Sequence, residues 1–77
     1  MQIPSTIIES AITVLRNQGL PYSPFTGWRR CDYALVWNGV KLSFGGHFKD
    51  NNLRKLEVKG YDVTTNELIY DFPIPVN

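Results

Sequence analysis

The dipeptide Asn38-Gly39 stands between two apolar runs, Tyr33-Ala34-Leu35-Val36-Trp37 and Val40-Lys41-Leu42-Ser43-Phe44, and constrains the fold more than any other feature of the chain. A type I′ turn needs positive φ at both central residues, which Asn and Gly tolerate, and it joins two antiparallel strands in a register set by the turn itself. Trp37 is therefore predicted to face Val40, Leu35 to face Leu42 and Tyr33 to face Phe44. Those six side chains share one wholly apolar face. Ala34, Val36, Lys41 and Ser43 fall on the other, which reads as a surface at most half covered.

Other elements can be placed around this hairpin. Ile8, Ala11, Ile12 and Leu15 recur at helical spacing, flanked by Ile7 and Val14, while Glu9, Ser10, Thr13, Arg16 and Asn17 take the polar side. Thr6-Ile7-Ile8-Glu9 matches a capping box, so a helix is predicted from Thr6 to about Gln18. Gly19 suits a left-handed C-terminal position, Leu20 is placed to fold back on the last turn, and Pro21 stops the helix. From Pro21 to Gly27, two prolines and the aromatics Tyr22 and Phe25 predict an ordered loop. A strand follows from about Trp28, and the return strand is expected to end near Phe44, before a polar crossing marked by Gly45-Gly46 and Lys49-Asp50-Asn51-Asn52.

The last third reads as a second hairpin, with strands near Leu53 to Val63 and Glu67 to Ile74. A three-residue loop, Thr64-Thr65-Asn66, sets Val63 opposite Glu67, Lys59 opposite Asp71 and Gly60 opposite Tyr70. It also groups Leu56, Val58, Leu68, Tyr70, Phe72 and Ile74 on one face. Pro73 and Pro75 mark an edge strand closed to further pairing. Two apolar sheet faces and one apolar helix stripe fit an α+β two-layer sandwich. The predicted order is α-β-β-β-β, a helix packed across a four-stranded antiparallel meander.

Length sets one domain, residues 1–77, near the lower limit for a core without disulfides or metal. With 43% hydrophobic and 19% charged residues the chain belongs with globular proteins, and its net charge of +1 announces neither nucleic acid nor an anionic membrane. The single cysteine, Cys31, excludes an internal disulfide framework and a cysteine-based zinc site. No signal-peptide pattern and no apolar run of about 18 residues appear, so a cytoplasmic chain without membrane attachment is expected.

Three functional readings follow. Asp32, Glu57 and Lys59 project to the less apolar sheet face. In outline, a helical acid such as Glu9 followed by Asp32, a hairpin and Glu57-Val58-Lys59 resembles the restriction-endonuclease-like nucleases over roughly residues 9 to 60. The resemblance implies two carboxylates holding a divalent cation while the lysine helps activate water. It departs from that pattern at Arg30-Cys31, where a proline often precedes the aspartate, and the meander supplies no helix after Lys59. A second reading places Trp28, Arg29, Arg30, Val36, Lys41, Lys55, Lys59 and Tyr61 on an open sheet that stacks bases and neutralises phosphates.

The third and preferred reading is a non-enzymatic binding module, inhibitor- or adaptor-like, that needs no cofactor and docks on a protein partner. Its expected contacts are Tyr22, Phe25, Trp28, Arg29, Arg30 and Tyr61, residue types that dominate protein interfaces. A homodimer through the sheet face or an edge is a variant of it. In compactness and lack of cofactor motifs the chain resembles the small inhibitory proteins of phages and mobile elements. His47, Ser43 and Cys31 stand outside any recognised catalytic pattern, with Cys31 in phase with the apolar side chains.

Overall fold

In a computed structural model, which describes residues 3–19 and 22–74 apart from the side chain of Phe72, the chain forms one helix and four strands. These are α1 (Ser5–Arg16), β1 (Trp28–Trp37), β2 (Val40–Lys49), β3 (Asn52–Asp62) and β4 (Leu68–Ile74). The strands pair antiparallel in sequence order, β1-β2-β3-β4. The expected α-β-β-β-β architecture is therefore the observed one. The roles expected of Leu20, Pro21 and Pro75, and of the Phe72 side chain, lie outside the described residues.

Asn38 and Gly39 adopt φ of 49° and 73°, and the three predicted pairs, Trp37 with Val40, Leu35 with Leu42 and Tyr33 with Phe44, all form. One face of the sheet builds the core. Cys31, Leu42, Phe44, Phe48, Leu56 and Val58 are fully buried there, together with Ala11 and Leu15 of the helix. Ile7, Ile8 and Ile12 pack partly buried against them. The helix lies over β1 and β2 rather than across all four strands.

Several boundaries differ from those expected. The capping box does not form. Thr6 is inside the helix, and Pro4, with φ −57° and ψ 140°, holds the N-cap position, where its carbonyl accepts from the amides of Ile7 and Ile8 at 3.1 and 3.3 Å. A proline there has no side-chain oxygen to offer the first turn. At the other end the helix stops at Arg16, and Gly19 has a φ of +70°.

β2 does not end at Phe44. Gly45 and Gly46 continue it to Lys49, and a second tight turn, with Asp50 and Asn51 at φ 50° and 70°, leads into β3. Gly46 is bare because Leu15 packs on it: a Cβ there would lie 3.1 Å from Leu15 Cδ1 and from Phe48 Cε1.

The second hairpin closes one step earlier than predicted. Asp62 and Glu67 flank a loop over Val63-Thr64-Thr65-Asn66, with the Asp62 amide donating to the Glu67 carbonyl at 2.9 Å and Asp62 Oδ1 accepting from Thr64 and Thr65. A register shift between Gly60 and Tyr61 leaves Ile69 as the extra residue of β4. Beyond that bulge the predicted pairs return, Gly60 with Tyr70 and Lys59 with Asp71. Leu68, on the turn side of the bulge, is 49% exposed and outside the core.

Candidate functional site

The sheet face away from the helix is uncovered, and the registers place its side chains in rows. Arg30, His47 and Lys55 form one row, Asp32, Gly45, Glu57 and Pro73 the next, and Ala34, Ser43, Lys59 and Asp71 a third. Gly45 offers no side chain at the centre. A shallow depression of about 190 Å³ opens over it, walled by Arg30, Asp32, Glu57 and Lys59, with Ser43 and Tyr61 at one end.

The structure thus brings together Asp32, Glu57 and Lys59. It does not bring Glu9 to them, since α1 packs on the opposite face of the sheet. Asp32 and Glu57 flank Gly45 from two strands apart, roughly 9.5 Å between backbones. Each carboxylate already faces a cation: Asp32 Oδ1 lies 3.5 Å from Arg30 Nη2, while Glu57 Oε1 lies 3.1 Å from Lys55 Nζ and 3.5 Å from His47 Nε2. A hydrogen bond from Lys55 and its charge hold the Glu57 carboxyl below its ordinary range, helped by His47 and Arg30 and opposed by partial desolvation. Among the described residues no cluster of three or more His, Cys, Asp or Glu side chains is placed to hold a metal ion. Lys59 and Asp71 face one another across the strands, yet no ion pair joins them.

His47 is not in a loose crossing. It is a half-buried strand residue of β2, laddered between Arg30 and Lys55. Cys31 is fully buried as a free thiol.

The residues expected to touch a partner divide into two groups. Arg29 does not face outward. It is 9% exposed on the core side of β1, stacked 4.9 Å from the ring centres of both Tyr22 and Phe48, and its Nη2 donates to the Arg16 carbonyl at 3.1 Å. The strand period explains this, because Arg29 is in phase with Cys31. Tyr22 is held with it, half-buried, its hydroxyl 2.8 Å from Asn51 Oδ1.

Phe25, Trp28 and Arg30 do face outward. Trp28 is 40% exposed beside Lys49, whose Nζ lies 5.7 Å from the ring centre. Tyr61 is half-buried at the far end of the same face.

Phe25 is 95% exposed at the tip of a fixed loop. The Ser23 amide donates to the Trp28 carbonyl at 2.8 Å and the Gly27 amide to the Ser23 carbonyl at 2.9 Å. Ser23 Oγ accepts from the amides of Phe25 and Thr26, and Thr26 Oγ1 accepts from the Trp28 amide. Gly27, at φ +77°, turns the chain into β1. Two hydroxyl side chains spaced around a Pro-Phe pair were the sequence signal for this staple.

No protein-family profile matches the chain, and comparisons with curated proteins and with solved structures return no match. Among the described residues no helix is long and apolar enough to cross a membrane.

Proposed function

We propose that this chain is a non-enzymatic, intracellular binding module that docks on a protein partner through the loop ending at Trp28. Phe25 is the anchor, and Trp28 and Arg30 on the adjoining sheet face are the flanking contacts. A small inhibitor or adaptor acts in this way. One observation carries the reading: a phenyl ring almost wholly in water, on a loop whose backbone is held by its own hydrogen bonds. Leaving such a ring unburied forgoes roughly 1.5–3 kcal/mol. A fixed loop also spares a partner the cost of ordering it, which is how buried aromatic anchors come to dominate interfaces.

The test is affinity capture from the native host with nuclease treatment as control, using the wild-type chain, Phe25→Ser and Arg30→Glu. A captured protein that survives nuclease and is lost with either variant, at unchanged circular dichroism and melting temperature, is the expected result. Equal capture by wild type and variants would sink the proposal.

A second reading rests on the outer sheet face, where Arg30, Lys41, Lys49, Lys55 and Lys59 outnumber Asp32, Glu57 and Asp71. Single-stranded nucleic acid suits such a surface, and an affinity falling steeply with added salt would distinguish it.

A further inference from the structure

The two edges of the sheet are protected differently. On β4, Pro73 sits opposite Glu57 with its nitrogen, which carries no hydrogen, on the side away from β3. That edge is blunted. The first half of the β1 edge is occupied at two points from within the chain: Trp28 bonds through its amide to Thr26 Oγ1 and through its carbonyl to the Ser23 amide, and the Asp32 carbonyl accepts from Gln18 Nε2 at 2.6 Å. In an antiparallel strand every second residue turns its amide and carbonyl outward, so Ala34 and Val36 follow Asp32 in the same phase. Among the described residues no hydrogen bond reaches those outward groups.

The side chains around the open half are also incompletely covered. Helix α1 ends near the start of β1, with Arg16 against Arg29. Toward the hairpin tip, Tyr33, Leu35 and Trp37 are only half-buried, whereas their β2 partners Val40, Leu42 and Phe44 are buried. On the outer face Val36 is 66% exposed. Five consecutive apolar residues with an open ladder, and no lysine, proline or bulge among them, form the kind of edge that chains ordinarily guard.

We propose that this edge pairs with the same edge of a second copy, antiparallel about a two-fold axis at Leu35, joining two sheets into one. The segment is self-complementary in that register. Ala34 exchanges backbone hydrogen bonds with Val36 of the second copy, Tyr33 lies opposite Trp37 of the second copy, and the two Leu35 side chains meet. Aromatic pairs of this kind stabilise neighbouring strands. Asp32 falls opposite Asn38, so no like charges are set against each other. Because the β4 edge is closed by Pro73, association stops at two copies instead of growing into a fibre.

Sedimentation equilibrium over a concentration series tests this with wild type, Ala34→Pro and Val36→Lys. Wild type is expected to double its apparent mass from 8.8 kDa as concentration rises. Both variants are expected to stay monomeric with unchanged circular dichroism. Ala34→Pro removes only an outward amide, and Val36→Lys places a charge on an exposed site, so if the proline variant unfolds the lysine variant decides. A wild type that is monomeric throughout, a dimer that persists in Val36→Lys, or a mass that climbs past two copies would each overturn the proposal.

Discussion

Arg29 is a cation used as core material. Its guanidinium lies between two rings and caps the carbonyl end of α1, where the helix dipole favours positive charge. Replacing it with methionine keeps the apolar stem and removes the donors, at an expected cost of about 2 kcal/mol, or roughly 8–16 °C in melting temperature. Arg30→Met, one residue on, breaks only an exposed pair and should shift melting by less than about 0.5 kcal/mol. Thermal unfolding of both variants checks the contrast. Gly45 and Gly46 form a second contrasting pair. A Cβ on Gly46 meets Leu15 and Phe48 at 3.1 Å, so Gly46→Ala should destabilise by about 1–3 kcal/mol. On Gly45 the nearest atoms are the ends of Arg30 and Asp32 at 3.6 Å, so Gly45→Ala should be tolerated or slightly stabilising. At Glu57 the sign is also determined. Its folded pKa lies below the ordinary 4.5, so its contribution is complete above that pH and is lost as pH falls through the lowered native value. Lys55→Gln should move the Glu57 carboxyl titration, followed by NMR, back up toward 4.5.

At the scale of elements, the N-terminus of α1 has an unused place for a cap. Pro4 already holds extended backbone angles, and the first turn carries no acidic residue. Pro4→Asp should therefore stabilise by roughly 0.5–1 kcal/mol in chemical denaturation, whereas Thr6→Ala should be neutral. The same elements show which local signals were decisive. Asn38-Gly39 specified a turn, a register and a face at once, because both residues are suited to positive φ and the flanking runs are apolar. Asp50-Asn51 makes an equivalent turn with residues that also suit loops. The glycines before it read as a strand end, although one of them is bare to admit Leu15. The bulge at Ile69 was invisible for a different reason: it cancels the earlier closure of its own turn, leaving the pairs from Gly60 to Leu56 where a simpler loop would have put them. In the candidate site, alternation placed Trp28, Arg30, Asp32, Glu57 and Lys59 correctly on one face. The same alternation places Arg29 inside, against the expectation its charge raises.

Across the whole molecule, with extents of 40 × 22 × 19 Å, the ten-residue strands of the first hairpin are roughly 33 Å long against roughly 18 Å for the twelve-residue helix. The docking loop and the open edge therefore lie toward opposite ends of β1. From Leu35 to Trp28 is seven residues of strand, roughly 23 Å, so a dimer paired about Leu35 holds the two Trp28 residues, where its docking loops end, roughly 45 Å apart. Such an assembly grips a surface bearing many partner molecules with two loops at once. The second contact then forms at high effective concentration, and release slows without any new interaction. Wild type should leave a densely coated partner surface at least about tenfold more slowly than a sparse one. Ala34→Pro should leave both at the single-site rate, and Phe25→Ser should bind neither. Surface plasmon resonance at two coating densities separates the ideas. If wild type dissociates equally fast from dense and sparse surfaces while still binding through Phe25, the docking loop stands and the paired edge falls, because a monomer has only one loop to offer.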